Sequence, residues 1–105
     1  MTFHAHIYFG PECHKEATDL REEISRRFGL RVGTMHKKPV GPHTKAMFQV
    51  VIGKDDFGDF VEWLLLNRRG HDVLIHPETG NDLLDHTDHA MWLGNPVAID
   101  VSAFT

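Results

Sequence analysis

The sequence predicts an α+β fold in which two helices pack on one side of a four-stranded antiparallel sheet. Three observations favour it: two long segments in which apolar residues alternate, two segments with apolar residues at helical spacing, and glycine or proline between them. The 105 residues are enough for one domain with a single core. We therefore interpret residues 1–105 as one domain.

The first half of the chain predicts a strand, a helix and a second strand. Residues 3–9 alternate between apolar and polar side chains, which is typical of a strand with one buried face. Residues 12–28 carry an apolar stripe at helical spacing, and Gly29 is placed to end that helix. Residues 30–35 predict a short strand, and the loop that follows ends at His43.

The second half repeats this pattern. Residues 45–52 predict a long strand, and Asp55 or Asp56 can cap a helix that runs to about Asn67. Residues 72–76 predict a last short strand, which a proline stops. The resulting order, β-α-β-β-α-β, matches the ferredoxin-like sandwich.

The residues after this last strand form a C-terminal extension beyond the six basic elements. Because both helices cover one side of the sheet, the other side is left open. Alternation places Met47, Val51 and Leu74 on that open side, and these side chains should not face water unprotected. The extension, a second subunit or both must cover them, and a homodimer is expected.

Charge, apolar runs and cysteine content argue against several classes of protein. Eleven basic against fifteen acidic residues give a net charge of −4, which argues against a nucleic-acid partner. The longest apolar run, residues 63–66, is too short to span a membrane, and the first residues do not resemble a secretory signal. Cys13 is the only cysteine, so no internal disulfide is expected and a reducing cytoplasm fits.

Histidine is unusually frequent, and histidine is the commonest metal ligand. Nine histidines are dispersed through the chain: His4, His6, His14, His36, His43, His71, His76, His86 and His89. His4 and His6 share the open side of the sheet, and in the ferredoxin-like order His76 lies on a neighbouring antiparallel strand. Three imidazoles on one patch suit Zn²⁺ or Fe²⁺, so the sequence predicts a metal site there.

The same residues could instead have only structural roles. A half-exposed strand accepts histidine freely, and His86 and His89, three residues apart, could be only the polar face of a helical turn. Trp92 could belong to the core, and the arginine pair at 68–69 could only favour a helix C-terminus. We interpret three histidines as surface residues: His14, His36 and His71.

Five segments carry a family resemblance: FHAHIYF at 3–9, VGPH at 40–43, WLLLNRRG at 63–70, VLIHPETG at 73–80 and DHTDHAMWLG at 85–94. In this order and at this spacing they resemble the DOPA 4,5-dioxygenase family of fungi and bacteria, over about residues 3–100. The resemblance implies a ferredoxin-like fold and extradiol cleavage of a catechol ring by O₂. It also implies a non-haem metal, Fe(II) or, as purified, Zn(II). The histidines that match the family's motifs are His6, His43, His76, His86 and His89.

Metal ligands follow as a hypothesis from this resemblance. We expect His6 and His76 to bind the metal, with His4, His43 or His86 completing the site. The usual set is two histidines and one carboxylate. A carboxylate ligand would have to be one of three residues, Glu78, Asp85 or Asp88, and an all-histidine site is the alternative.

Other residues receive expected roles in catalysis and substrate binding. His43 or His89 could act as acid and base toward the catechol, and Tyr8 could hydrogen-bond substrate or oxygen. For substrate binding we expect hydrogen bonds from Gln49, pairing of an acidic side chain with Arg68 or Arg69, and stacking on Trp92.

Two functions from other classes remain as alternatives. The same histidines would serve a zinc-binding ferredoxin-like module with a structural or sensing role, and this fold also occurs in small-ligand-binding domains. The chain has no glycine-rich phosphate loop and no CxxC pair, so nucleotide-dependent and thiol-redox chemistry are not indicated.

Overall fold

The computed structural model describes residues 1–105. Its strands are β1 (Thr2–Tyr8), β2 (Arg31–Val32), β3 (Met47–Gly53), β4 (Val73–Pro77) and β5 (Met91–Leu93). Its α-helices are α1 (His14–Phe28), α2 (Phe57–Asn67) and α3 (Asp82–Asp85), with short 3₁₀ helices at Pro11–Cys13 and Val101–Phe104. None of the helices has the length and apolar character needed to cross a membrane.

The five strands form one sheet in the order β2-β3-β1-β4-β5, and every neighbouring pair is antiparallel. The first four strands have the order expected of a ferredoxin-like sheet. The prediction of four strands was wrong by one, because the C-terminal extension adds β5 beside β4. That strand has three residues, which is too few for alternation to distinguish it in the sequence.

The main core lies between the sheet and the two long helices. Alternate residues of β1, among them Ala5 and Ile7, point into it and are fully buried. Leu20 of α1 and Phe60 and Leu64 of α2 meet them from the helix layer. Burying each large apolar side chain contributes about 1.5–3 kcal/mol relative to leaving it exposed. The predicted faces of both long strands are confirmed, so the histidine face of β1 is fixed by this core.

The ends of the elements agree with the prediction in part. Gly29 ends α1 in the left-handed region, at φ 62°, and its N–H donates to the Ser25 carbonyl. Asp56 precedes α2, but its side chain makes no capping hydrogen bond. The strand predicted at residues 30–35 is shorter, because only Arg31–Val32 forms a continuous ladder with β3; beyond it, His36 pairs with Met47 as an isolated bridge.

The C-terminal extension covers much of the sheet face that lies opposite the helices. Tyr8, Met47 and Leu74 are buried there in a second small cluster. The extension packs against this cluster with Ala90, Trp92, Val97 and Ile99. Backbone pairing continues the contact, since the Asp100 N–H donates to the Pro42 carbonyl at 2.8 Å. The chain itself therefore covers Met47 and Leu74, whereas Val51, the third apolar side chain that prompted the expectation of a homodimer, is half-buried. The homodimer stays a prediction.

Candidate metal centre

Strand register assembles the centre on the sheet face opposite the helices. His4 of β1 lies opposite His76 of β4 and Val51 of β3. His6, two residues along, lies opposite Gln49 of β3. Directly opposed residues of antiparallel strands project from the same face, so the core packing of β1 determines that these side chains share it.

Three histidines from two strands meet at this place. The Nε2 atoms of His6 and His76 are 3.0 Å apart, and both residues are buried. The rings of His4 and His76 are 5.3 Å apart between centroids, with the planes nearly perpendicular. His4, His6 and His76 each offer a ring nitrogen within 4.8 Å of the others. The expectation that His76 lies close to His4 and His6 is confirmed.

An oxygen atom lies beside Nδ1 of two of these rings. Nδ1 of His76 lies 2.9 Å from the Pro77 carbonyl, and a carbonyl oxygen only accepts, so His76 carries its proton on Nδ1. Nδ1 of His4 lies 3.2 Å from the carboxylate oxygen Oε1 of Glu78, which favours a proton on the same nitrogen. Both arrangements leave the Nε2 lone pair available. Metal-binding histidines commonly have such partners, so this donor set fits a first-row metal ion.

A second group of histidines adjoins the first and shares His6 with it. Ring nitrogens of His6, His43 and His86 also lie within 4.8 Å of one another. His86 follows α3, its Nδ1 lies 2.7 Å from the Asp82 carbonyl, and its ring centroid is 4.1 Å from that of His76. Five imidazoles thus form one continuous cluster. Nδ1 of His6, at its centre, is buried and has no hydrogen-bond partner.

Burial favours the neutral form of His6, His43 and His76. Loss of solvent lowers the pKa of His43 and of His76 to about 4, and repulsion from neighbouring imidazoles adds to the effect. The same two causes hold the pKa of His6 well below its ordinary value. Neutral imidazole is the form that binds metal ions, so the cluster is ready for a metal at neutral pH.

Tyr8 connects this cluster to the C-terminal extension. Its hydroxyl lies 2.8 Å from Nδ1 of His43, and burial raises the pKa of Tyr8 far above its ordinary range. Tyr8 is therefore a protonated phenol. The Trp92 ring lies almost parallel to the Tyr8 ring, with centroids 6.0 Å apart, so Trp92 contacts Tyr8 from the extension.

The candidate carboxylates occupy different surroundings. Of the three carboxylates, only Glu78 contacts histidines of the cluster: its Oε1 lies 3.2 Å from Nδ1 of His4 and 3.7 Å from Nδ1 of His76. Asp85 is buried and accepts three hydrogen bonds, two from Thr79 and one from His89. Burial raises the pKa of Asp85, but these hydrogen bonds outweigh it and lower the pKa to about 2. Asp88 is exposed.

Three predicted site residues lie away from the cluster. His89 is not among the grouped histidines; it lines a second, largely apolar cavity of about 230 Å³, whose wall also includes Phe57 and His76. Arg68 donates to the His71 carbonyl at 2.9 Å, and Arg69 forms an ion pair with Glu23 of α1 at 2.8 Å. The structure therefore brings His4, His6, His43, His76, His86 and Tyr8 together, but not these three.

Two histidines interpreted as surface residues are more buried than expected. His71 is 6% exposed, and its Nε2 has no partner. His14 is half-buried, with its ring edge against Phe9 at 5.7 Å between centroids. The surface interpretation of both was wrong, because His71 is buried in the loop between α2 and β4, and His14 lies at the start of α1 with its Nε2 buried. His36 is half-buried as well.

An open cavity of about 550 Å³ adjoins the cluster at His4. Its wall includes Gln49 and Glu78 and also Arg31, a residue that the sequence did not single out. The volume lies in the range of small-molecule sites, which is about 300–1,000 Å³. Alternation through residues 30–35 was the signal that could have found Arg31, since it places Arg31 on the face of the histidines.

Comparison with known proteins shows which family the chain is similar to. Residues 3–103 match the model of the Dopa 4,5-dioxygenase family. An "Uncharacterized 21.2 kDa protein" of Botryotinia fuckeliana is 38% identical over 112 residues, which cover 95% of this chain and 61% of that protein. The DOPA 4,5-dioxygenase of Amanita muscaria is 29% identical, over 88% of this chain and 44% of its own length. The chain thus spans less than two thirds of either relative.

A solved structure supports the same fold. The crystal structure of a "putative dioxygenase" from Nostoc punctiforme superposes with a TM-score of 0.94 at 41% sequence identity. The match covers 97% of this chain and 89% of the other. At this identity the similarity extends to sequence as well as fold.

Proposed function

This chain belongs to the Dopa 4,5-dioxygenase family, and from that membership we propose that it opens the ring of a catechol with O₂ at a histidine-bound iron(II) ion. The convergence of three imidazole nitrogens, from His4, His6 and His76, beside an open cavity is the observation that carries this proposal. In the reaction, one ring carbon–carbon bond next to the diol and the O–O bond break, and both oxygen atoms enter the product. The ring supplies the electrons that reduce O₂, so no further reductant is needed.

We assign His4, His6 and His76 as the metal ligands. Two of them have the N–H partners that orient a metal-binding imidazole, and His4 also forms part of the cavity wall. An iron(II) ion held there supplies open coordination positions and the electron exchange that the reaction of a catechol with O₂ requires. Glu78 then orients His4 rather than binding the metal.

His43 is the residue best placed to move protons. It is neutral at neutral pH, since its pKa is about 4, and its ring centroid is 4.1 Å from that of His6. When the Nδ1–H of His43 donates to the Tyr8 oxygen, its Nε2 can accept a proton from a catechol hydroxyl and return it during ring opening. Tyr8 holds the imidazole in this orientation.

Two further residues shape the substrate position. Gln49 lies opposite His6 and lines the cavity, so its amide can hydrogen-bond a substrate hydroxyl. Trp92 contacts Tyr8 instead of the cavity, and it supports the wall behind the His43–Tyr8 pair.

Oxygen uptake tests the proposal. Protein loaded with iron(II) under anaerobic conditions is mixed with aerated buffer and a panel of catechols that includes DOPA and caffeic acid. Uptake equal to the substrate consumed, with a new yellow absorbance from the ring-opened product, is the expected result. Absence of uptake with every catechol, from protein that has bound iron stoichiometrically, would contradict it.

A zinc-binding module is the second candidate, because an all-histidine donor set also suits Zn²⁺. Metal analysis after purification without added metal, followed by exchange for iron and measurement of oxygen uptake, separates the two. Zinc that resists exchange and protein that consumes no O₂ would favour the module.

The cellular setting is part of the same proposal. We expect a cytoplasmic enzyme, because a chain with a single cysteine fits a reducing compartment. We expect a small-molecule substrate, because a net charge of −4 argues against a nucleic-acid partner. A homodimer is expected, and light scattering of the purified protein at several concentrations tests it.

A further inference from the structure

Arg31 ends a row of side chains that crosses the sheet to the histidine cluster. It lies opposite Val51 on β3, Val51 lies opposite His4 on β1, and His4 lies opposite His76 on β4. All four side chains therefore project from the same face. With neighbouring strands about 4.8 Å apart, the backbones of Arg31 and His4 are separated by about 10 Å.

The cavity beside the cluster lies between these two residues. Arg31, His4, Gln49 and Glu78 all line it, and Arg31 is the only lysine or arginine that does so. Arg31 forms no ion pair within the chain, whereas Glu78 is paired with His4 at 3.2 Å. The cavity thus has one cationic group without an ion-pair partner at the end remote from the histidines, and its only carboxylate, Glu78, lies at the histidine end.

A guanidinium group binds carboxylates through two parallel charge-assisted hydrogen bonds. A catechol whose hydroxyls lie at the cluster would direct a side chain of two or three carbons along the cavity toward β2. The substrate side chain and the Arg31 side chain together can span the distance of about 10 Å between β1 and β2. We propose that Arg31 binds the carboxylate of a catechol carboxylic acid, an inference that rests on the proposed ring cleavage.

The same cavity wall bears on the amino group of an amino-acid substrate. Its only carboxylate, Glu78, contacts His4 and His76 and so lies at the histidine end, whereas the amino group would lie beside the acid group at the Arg31 end. Arg31 therefore recognises the acid, and the amino group adds little to binding. Dihydrocaffeic acid, which differs from DOPA by lacking the amino group, should bind as well as DOPA does. The sequence had suggested Arg68 or Arg69 for this contact, and both are engaged elsewhere.

Paired substrates and paired variants test this assignment. The specificity ratio is kcat/KM for dihydrocaffeic acid divided by kcat/KM for the neutral methylcatechol, measured by oxygen uptake. Loss of a charged hydrogen bond predicts a fall of about 10- to 100-fold in this ratio for Arg31→Gln. Arg31→Lys, which keeps the charge but not the fork, should recover part of it. Arg26→Gln, at an exposed position of α1, is the matched control and should leave the ratio unchanged.

Equilibrium binding separates this inference from the proposed function. Calorimetric titration of dihydrocaffeic acid and methylcatechol into zinc-loaded protein without O₂ gives the two dissociation constants. Their ratio measures the preference for the acid without turnover. If the wild-type protein cleaves no catechol but binds the acid more tightly, and Arg31→Gln removes that preference, ring cleavage fails and the role of Arg31 stands. An equal ratio in wild type and Arg31→Gln, or no preference for the acid in the wild type, would overturn the role of Arg31.

Discussion

The Nε2 atoms of His6 and His76 lie 3.0 Å apart, although 70 positions separate the two residues in the chain. Without a metal, one of these imidazoles donates a hydrogen bond to the other. Nδ1 of His76 already donates to the Pro77 carbonyl, so Nε2 of His76 is the acceptor. A metal ion held by His6 and His76 would take the place of this hydrogen and use both Nε2 lone pairs. Strand pairing therefore brings the two nitrogens together in the absence of a metal.

His76→Ala should remove both the metal and the activity. The substitution deletes one of three converging nitrogens, and even loss of an outer partner typically costs 10- to 100-fold in metal affinity. We expect iron binding to weaken more than about 100-fold and ring cleavage to become undetectable, as measured by metal titration and oxygen uptake.

His14→Ala is the matched control for that experiment. His14 is half-buried at the start of α1, on the helix side of the sheet, so some loss of stability is expected but no loss of iron. Stoichiometric iron and full activity in His76→Ala, or loss of both in His14→Ala, would show that the metal lies elsewhere.

Glu78→Ala should weaken metal binding without abolishing it. Oε1 of Glu78 lies 3.2 Å from Nδ1 of His4, so the carboxylate attracts a proton to that nitrogen and leaves Nε2 as the free ligand atom. Loss of such a partner predicts a metal affinity about 10- to 100-fold lower. Glu78→Gln keeps an accepting oxygen and should recover part of the affinity. Asp88→Ala, an exposed carboxylate in the same region, serves as the control, and equal affinities in Glu78→Ala and Asp88→Ala would refute this role.

Asp85→Asn should destabilise the turn that carries His86. The buried carboxylate accepts from the N–H and hydroxyl of Thr79 and from His89, and an amide cannot replace all three bonds. Hydrogen bonds to a charged group contribute about 1.5–3 kcal/mol, so we expect a loss of about 2 kcal/mol in the free energy of unfolding. Urea denaturation measures it at pH 7. Asp88→Asn should change this free energy by less than about 0.5 kcal/mol, and equal losses in the two variants would contradict the role of Asp85.

The metal-free protein should lose stability as the pH falls from about 6.5 to about 4. Burial lowers the pKa of His43 and His76 to about 4 in the folded chain, whereas the ordinary value is 6.5. Between these values the unfolded chain binds more protons than the folded one, so acid favours unfolding. Each histidine contributes a loss of at most about 3 kcal/mol. Urea denaturation at several pH values tests this, and a flat profile over this range would contradict it.

Much of the fold could be predicted from the sequence because its strand pattern is regular. Alternation in residues 3–9 and 45–52 determines which side chains face the helices, and topology then brings His76 beside His4 and His6. Features that depend on a few residues in the extension could not be predicted. β5 has three residues, and its pairing with β4 depends on packing of the whole extension.

The site residues on paired strands could also be predicted from the sequence. Some site residues outside the strands could not, because their positions depend on long-range packing. His4, His6 and His76 lie on paired strands, so register alone brings them together. Arg68, Arg69 and His89 lie at a helix end and in a turn, where long-range packing determines the direction of a side chain. His14 and His71 were misjudged because no periodicity reports burial at such positions.

Ile99→Ala should lower turnover while the metal is retained. The backbone of Ile99 pairs with that of His43, and its side chain packs on the cluster of Tyr8, Met47 and Leu74. The substitution loosens the segment that holds His43 against Tyr8, but the proposed ligands His4, His6 and His76 stand on the sheet and keep their positions.

We therefore expect a lower kcat for Ile99→Ala with unchanged iron stoichiometry, and a loss of about 1–2 kcal/mol in the free energy of unfolding for a partly buried isoleucine. Val101→Ala, at an exposed position two residues along, is the matched control. Loss of iron in Ile99→Ala would mean that His43 and the extension hold the metal, so that the second histidine group, His6, His43 and His86, would be the binding site. Because the two groups share His6, this variant distinguishes between them where a substitution of His6 could not.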